Sequence, residues 1–420
     1  MLKKLKPKSE FTRNVLTLMT GSTIAQAIPI AISPILTRIY SPEDYGLVAL
    51  YMSVATIASI AATGRYEMAI MLPKKDTDAA NVLFLSVWIT LFMSIISFII
   101  IFSFNQKITN FLGNQEVSLW LYLVPVSVLL TGIYQSLRYW NNRKKYFTNL
   151  AKNGVIQNGT SSSLNLGFGF LGFGGGGLIS ASLLGQVIGI LFLGKKSLNK
   201  DKGLIRFKNN IKIMALIKKY KKLPLFNLPN ALVDTFKMSG ITILIAKFFT
   251  TSILGQYSLA WKMVVTPAAL VGNSLSQVFF QKLASSKKSD LNRLIMKFII
   301  KASLIALPMY SIVYFFAPEI FIFIFGEKWE LAGRIASVLS PWLFLNFISS
   351  PLSSVYIIIN RQEIMLVLSI FYMLVPLTIL YLFQNNNFIY VINIMSQGMS
   401  LVLIFLILYI VYLTSKLKKG

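Results

Sequence analysis

Charged and amide side chains occur at helical spacing within strongly apolar segments of this chain. Four of them in one segment are separated by three, four and three positions, which places them on one face of a helix. They are Asn227, Asn230, Asp234 and Lys237. A carboxylate and an ammonium group among amides can bind a polar solute or an ion. Because such groups are costly in an apolar environment, this face is expected to contact protein or water.

Three further segments carry polar faces of the same kind. Their residues are Ser258, Lys262, Thr266, Asn273 and Gln277 in one segment, Ser22, Gln26, Ser33 and Thr37 in another, and Ser53, Thr56, Thr63 and Glu67 in the third. Hydrogen bonding between neighbouring helices is an alternative explanation for the Ser, Thr and Asn positions. We predict a hydrophilic cavity to which Gln26, Asn230 and Gln277 contribute.

The charged residues inside these segments indicate which ligand such a cavity would accept. Three are basic, namely Arg65, Lys237 and Lys262, and Asp234 is acidic. This positive excess favours an anionic substrate, such as a phosphate or diphosphate group. Two simpler explanations remain open, because Asp234 and Lys237 can pair along one helix and Arg65 can extend to the aqueous interface. Asp234 is therefore either a site for a driving ion or a structural partner of Lys237.

The elements that position these residues are apolar segments, each close to the roughly 20 residues that a helix needs to cross a bilayer. We predict twelve of them, at residues 14–36, 44–66, 82–104, 117–137, 150–172, 177–194, 223–246, 255–278, 295–317, 335–358, 364–384 and 388–413. Charged residues make up only 13% of the chain, and the mean hydropathy is +0.66. The sequence thus predicts an all-α integral membrane protein with about 12 transmembrane helices.

The distribution of basic residues predicts the orientation. Most of the 41 Lys and Arg residues lie in the N-terminus, the C-terminus and the loops after even-numbered spans. The other loops carry few, at Arg38, Lys107, Lys247, Lys328 and Arg334. By the positive-inside rule, both termini are expected in the cytoplasm. The net charge of +27 follows this topology, so nucleic acid is not an expected partner.

An internal repeat predicts two lobes. The segment around Gly46, between spans 1 and 2, resembles the segment around Gly255, between spans 7 and 8. We therefore predict a six-helix lobe at residues 1–200 and another at 201–420, arranged around a central cavity. The basic linker at 195–222 is either an amphipathic segment on the membrane surface or a solvated loop.

Several kinds of chemistry are not expected. The sequence contains no Cys and no His, so it offers no disulfide, no thiolate nucleophile and no imidazole base. We expect no catalytic residue, metal site or cofactor, and hence no enzyme. A membrane-bound polysaccharide polymerase or glycosyltransferase would need a larger extramembrane loop with catalytic acids or metal ligands. A multidrug or organic-cation antiporter would need more buried carboxylates than Asp234 alone.

Several motifs resemble those of the Wzx-type flippases of polysaccharide biosynthesis. The N-terminal ones are residues 20–22 (TGS), 36–46 (LTRIYSPEDYG) and 65–73 (RYEMAIMLP), and the C-terminal ones are residues 254–260 (LGQYSLA), Pro267 and residues 276–280 (SQVFF). The order of spans and motifs fits this family over essentially the whole chain. Multidrug exporters and lipid II flippases share the architecture.

The resemblance implies a function and a cellular location. It implies an exporter-type fold with spans 1, 2, 7 and 8 around the cavity, in a bacterial inner membrane. The implied substrate is an undecaprenyl-diphosphate-linked oligosaccharide, destined for O-antigen, capsule or exopolysaccharide, that moves from the inner to the outer leaflet by alternating access. The implied partners are this lipid-linked substrate, the lipid bilayer and other polysaccharide assembly proteins.

Overall fold

The computed structural model describes residues 10–205, 209–284, 286, 290–359 and 361–416. Helices make up nearly all of this part of the chain. They are α1 (Glu10–Ala31), α2 (Ser33–Ile39), α3 (Pro42–Ser59), α4 (Asp76–Leu112), α5 (Val117–Leu121), α6 (Val124–Arg143), α7 (Phe147–Phe170), α8 (Gly174–Ile205), α9 (Asn210–Lys219), α10 (Leu228–Phe248), α11 (Thr251–Ala284), α12 (Leu291–Phe325), α13 (Glu330–Ile358), α14 (Gln362–Leu382) and α15 (Phe388–Lys416). Short 3-10 turns cover Tyr66–Met71 and Glu327–Trp329, and a π-helical turn covers Leu223–Asn227.

Each of the twelve predicted spans coincides with helical structure. Among the described residues, nine segments are long and apolar enough to cross a membrane. The helices α3, α7 and α10, which correspond to spans 2, 5 and 7, are more polar and fall outside that set. The all-α membrane fold is thus confirmed. Two of these three more polar spans, 2 and 7, are among those predicted to line a cavity.

The chain forms two compact units, residues 1–243 and 244–420. In the N-terminal unit α7 packs on α1 and α8, while α6 packs on α4, α3 and α8. Glycine permits the close approach of these helices, because a side chain at Gly132 would overlap Thr90 and one at Gly185 would overlap Ser161. The predicted division into two six-helix lobes at residue 200 is based on the internal repeat and stays a prediction.

Hydrogen bonds between helices complete the packing of the N-terminal unit. The hydroxyls of Ser86 and Ser136 are 2.8 Å apart, and those of Tyr51 and Ser127 are 2.6 Å apart. All four residues are buried, and a buried hydroxyl is costly unless it forms a hydrogen bond. Some of the Ser and Thr residues in the spans therefore serve helix packing, as the simpler explanation proposed.

The turn before α3 is fixed by a capping box. The Ser41 hydroxyl accepts a hydrogen bond from the Asp44 backbone N–H, and the Asp44 carboxylate accepts one from the Ser41 backbone N–H. The other oxygen of Asp44 accepts a hydrogen bond of 2.5 Å from the backbone N–H of Gly175 at the start of α8. The motif at residues 36–46 thus joins two distant turns of the same unit.

The C-terminal unit is built around α13, which packs against α11, α12 and α15. Aromatic residues fill part of this contact: the rings of Trp261 and Trp342 are 5.5 Å apart, and the Trp342 indole N–H donates to the Tyr372 hydroxyl at 2.9 Å. A side chain at Gly333 would overlap the backbone of Pro318. These contacts pack the first half of α11, which carries Lys262, against α13.

The basic linker contains a packed helix. Residues 206–208 lie outside the described part of the chain, but α9 is amphipathic as predicted. Its Leu216 is buried in a cluster that includes Ile70 and Trp140, while Ile211 and Met214 are exposed. The description of the whole linker as a solvated loop is therefore wrong, because α9 uses its apolar face to cover other helices of the N-terminal unit.

Candidate functional site

The first candidate site lies where the chain leaves α3. Gly64 and Arg65 both adopt left-handed backbone conformations, with φ of 56° and 64°. This conformation is uncommon for a residue with a side chain, and it separates α3 from the 3-10 turn that follows. The prediction that span 2 continues to residue 66 as a helix is therefore wrong. Arg65 lies in a turn, and the turn directs it toward a cavity of about 250 Å³ within the N-terminal unit.

The charge of Arg65 is compensated inside this cavity. Its Nη1 atom is 3.6 Å from Oε1 of Glu67, which is only 3% exposed. The Thr63 hydroxyl donates a short hydrogen bond to the other carboxylate oxygen of Glu67. A buried carboxylate needs such partners. Arg65 is thus part of an internal ion pair, and its Nε atom is buried with no hydrogen-bond partner among the described residues.

The remaining described lining of the Arg65 cavity is uncharged and mixes polar with apolar side chains. It comes from α3, α6 and α8, and its polar residues include Thr56, Ser127, Thr131, Gln135 and Gln186. Of the residues predicted in span 2, Thr56 and Thr63 thus face a cavity, as does Glu67. A balanced charge and several hydroxyl and amide groups suit water or a small polar group better than a strongly anionic ligand.

Gln26 lines a second and larger cavity of about 450 Å³, between α1, α6 and α7 of the same unit. Its side-chain amide donates to the Ser22 carbonyl at 3.3 Å. Across the cavity lie Tyr134 and Arg138 of α6. Arg65 and Gln26, which we predicted to share one cavity, therefore lie in different cavities of the N-terminal unit.

Arg138 is a residue of this cavity that the sequence reasoning missed. The predicted span 4 ends at residue 137, which places Arg138 in the basic loop that follows it. In the structure α6 continues to Arg143, and Arg138 lies on the helix, one turn after Tyr134. The spacing of four residues between Tyr134 and Arg138 is the signal that could have identified it.

The polar face of α10 brings two predicted residues together. Nζ of Lys237 is 3.8 Å from Oδ1 of Asp234. The Asp234 side chain is 75% exposed and that of Lys237 is 21% exposed. Asn230 is also exposed on this helix. The pair that the three-residue spacing predicted is therefore present, but its carboxylate lies on the surface of the protein.

The two predicted residues of α11, Lys262 and Gln277, are exposed. A small cavity of about 130 Å³ in the C-terminal unit is lined instead by Asn273 and Ser276 of the same helix, together with Asn346 of α13. A spanning helix that exposes a lysine and an amide needs water or polar groups beside it. The contribution of Lys262 and Gln277 to a substrate site stays a prediction.

A network of ion pairs lies at the C-terminal end of α6 in the N-terminal unit. Asp76 at the start of α4 accepts hydrogen bonds from Arg143 and Lys144, with ion-pair distances of 2.9 and 2.6 Å. Lys144 Nζ is also 3.6 Å from Asp201 of α8, which accepts a bond from the Trp140 indole N–H at 3.0 Å. Burial disfavours the charged form of Lys144, but its hydrogen bond to Asp76 and the charge of Asp201 outweigh this and raise the pKa of Lys144. These basic residues are therefore occupied by carboxylates of the protein itself.

The described residues include no group of three or more His, Cys, Asp or Glu side chains that could hold a metal ion. The polar groups of both cavities in the N-terminal unit are hydroxyls, amides, guanidinium groups and one carboxylate. Such groups bind and orient a polar solute through hydrogen bonds and charge.

Comparisons of the sequence place the chain in a family. The sequence profile of a family described as "Polysaccharide biosynthesis protein" matches residues 35–333. A curated relative, the teichuronic acid biosynthesis protein TuaB of Bacillus subtilis (strain 168), is 22% identical over 286 residues. That alignment covers 66% of this chain and 57% of TuaB, so the chain matches just over half of the length of that relative.

Solved structures with a similar fold match nearly the whole length of the chain. A multidrug resistance MATE family transporter of the MOP superfamily in an inward-facing conformation has a TM-score of 0.75 at 18% identity, with 96% of each chain covered. A MOP superfamily transporter from Pyrococcus furiosus has a TM-score of 0.61 at 17% identity, with 97% of each chain covered. The expected two-lobe exporter fold is thus confirmed. The chain belongs to the polysaccharide biosynthesis protein family, and it has the fold of the MOP superfamily transporters.

Proposed function

We propose that this protein is a flippase that moves an undecaprenyl-diphosphate-linked oligosaccharide from the cytoplasmic to the periplasmic leaflet of a bacterial inner membrane. The observation that carries this proposal is the presence of polar cavities among spanning helices of a transporter fold, in a chain that belongs to a polysaccharide biosynthesis family. A saccharide with a diphosphate needs a hydrophilic path across the bilayer, whereas its polyprenyl chain can stay in the lipid. No covalent step is required, and the protein is not expected to be an enzyme.

The proposed path uses basic and amide residues of both units. Lys237 and Lys262 offer ammonium groups for the diphosphate, and Asn230 and Gln277 offer amides for sugar hydroxyls. The two lobes, residues 1–200 and 201–420, would alternate between states open to either side. Arg65 and Gln26 belong to the N-terminal part of this path, in their separate cavities. The product would be O-antigen, capsule or another surface polysaccharide, delivered to the other proteins of its assembly.

A second candidate function is that of a multidrug or organic-cation antiporter. The observation that favours it is the likeness of the fold to multidrug resistance MATE transporters. The charge of the cavities argues against it, because Glu67 is already paired with Arg65, and the described lining of the larger cavity includes Arg138 and no carboxylate. An organic cation would gain no attraction there. The flippase accounts better for these charges.

The test is a transport assay with purified protein in sealed vesicles. A lipid-linked oligosaccharide with a fluorescent sugar is placed in both leaflets, and a membrane-impermeant quencher reports the fraction that is accessible from outside. Vesicles with the protein should lose nearly all fluorescence, and protein-free vesicles about half. Equal protection in both samples, together with uptake of an organic cation such as ethidium, would favour the antiporter and contradict the flippase.

A further inference from the structure

The cavity between α1, α6 and α7 has the composition of a ligand site. Its volume of about 450 Å³ lies in the range of roughly 300–1,000 Å³ that is typical of small-molecule sites. Its polar groups are one guanidinium, two phenols, two amides and a hydroxyl, from Arg138, Tyr134, Tyr139, Gln26, Asn142 and Ser22. None of the described residues that line it is acidic.

The positive charge of this cavity is available to a ligand. Arg138 forms no ion pair with the acidic residues that the structure describes, and its side chain is exposed to the cavity. The next two basic residues on the chain differ, because Arg143 and Lys144 are bound to Asp76. Arg65 in the neighbouring cavity is likewise paired with Glu67. Of these four basic residues, Arg138 is thus the one without a carboxylate partner in the described part of the chain.

The floor of the cavity is kept open by small residues. Ala25 of α1 and both Ala151 and Gly154 of α7 line it, and a Cβ atom at Gly154 would lie 3.2 Å from Cβ of Ala25. The two helices therefore approach closely at these small residues, and Leu18 and Gln26 of α1 and Leu150 of α7 line the cavity beside them. The lining from α6 is polar, so a ligand in this cavity would meet both small apolar residues and hydrogen-bonding groups.

From this arrangement we infer that the cavity binds the diphosphate and first sugar of the lipid-linked saccharide, with Arg138 on the phosphate oxygens. A guanidinium group forms two parallel hydrogen bonds with an oxyanion, and a tyrosine ring provides a flat apolar face with a polar tip for a sugar. Gln26 and Asn142 can bond sugar hydroxyls. Arg138 lies five residues before the end of α6, about 7.5 Å along the axis. We expect this end to face the cytoplasm, where the substrate is made.

The inference rests on the proposed function, and a binding experiment separates the two. Purified protein in detergent is titrated with a short-chain prenyl-diphosphate disaccharide, and separately with inorganic diphosphate. Arg138→Gln should weaken binding of the disaccharide by about tenfold or more, since it removes a charge-assisted pair of hydrogen bonds, and Arg138→Lys should retain part of the affinity. Tyr134→Ala should weaken the disaccharide and leave the weaker binding of diphosphate unchanged.

Lys152→Gln is the matched control. Lys152 lies on α7 beside the cavity, is exposed and does not line it, so this variant should bind like the wild type. Unchanged disaccharide binding by a stably folded Arg138→Gln variant would overturn the inference, even if the wild type transports the substrate. Diphosphate binding as tight as that of the disaccharide would overturn the sugar part. Absence of transport by a wild type that shows the predicted binding pattern would contradict the flippase alone.

Discussion

The ion pair between Asp234 and Lys237 gives the sharpest test of how this protein uses charge within a span. Its two atoms are 3.8 Å apart and the carboxylate is 75% exposed. An exposed pair contributes roughly 0.2–1 kcal/mol to stability, whereas breaking a buried pair costs about 3–5 kcal/mol. Because Asp234 is exposed, its pair with Lys237 is of the weaker kind. Asp234→Asn should therefore lower the free energy of unfolding by less than about 1 kcal/mol.

The assay measures stability and transport on the same purified variant. Thermal unfolding in detergent is compared with that of Glu330→Gln, which removes another exposed pair, the one that Glu330 forms with Arg334 at 2.6 Å. Both variants should unfold close to the wild-type temperature. In vesicles with an imposed proton or sodium gradient, we expect Asp234→Asn to flip substrate without responding to the gradient, while Glu330→Gln keeps the response.

Two results would refute this reasoning in different ways. A loss of about 3–5 kcal/mol in Asp234→Asn that Lys237→Met restores would show a pair that is buried in the working protein. A stable Asp234→Asn variant with a full response to the gradient would show that the carboxylate does not bind the driving ion.

Three further predictions concern the substrate path, the linker and the topology. Lys262→Ala should reduce surface polysaccharide in cells at unchanged protein level, because we propose that this ammonium group binds the substrate, whereas Lys297→Ala on α12 should not. Equal polysaccharide in both would remove Lys262 from the proposed site. Leu216→Ala should lower the free energy of unfolding by about 2–5 kcal/mol, because the Leu216 side chain is buried. Met214→Ala, at an exposed position of the same helix, is the control. Equal unfolding temperatures of the two variants would contradict the packing of α9. A reporter fused after Lys219 should be read in the cytoplasm, because basic residues surround it, and a periplasmic signal would overturn the orientation.

The sequence predicts the helices well because their length is set by the bilayer. An apolar segment of about 20 residues has few alternatives to a spanning helix. The errors occur where local conformation decides. Helix α3 ends at Ser59, and the left-handed residues Gly64 and Arg65 separate it from the 3-10 turn that begins at Tyr66. A pattern of apolar residues does not reveal such a break. For Arg138 the predicted helix is too short instead of too long. A charged residue near the end of an apolar segment suggests the start of a loop, although α6 continues to Arg143.

The site could be predicted only in part. The spacing of Asp234 and Lys237 was sufficient to predict their contact, because residues three apart on a helix are always neighbours. The division of Arg65 and Gln26 between two cavities depends on how α1, α3, α6, α7 and α8 pack, and one sequence does not contain that information. The same holds for Arg143 and Lys144, whose partner Asp76 is on a different helix. Asp76 is the first residue of α4, and no sequence spacing links it to these two residues.

The packing of α9 has a consequence for how the protein is made. Leu216 of this helix belongs to the same cluster as Ile70, Ala80 and Trp140, which are synthesised much earlier. During translation these residues are made before α9. Their apolar surface therefore stays uncovered until more than seventy further residues have been added after Trp140. A nascent chain that stops before α9 would expose this surface to chaperones and proteases. The first lobe is therefore complete only after the segment that leads into the second has been made.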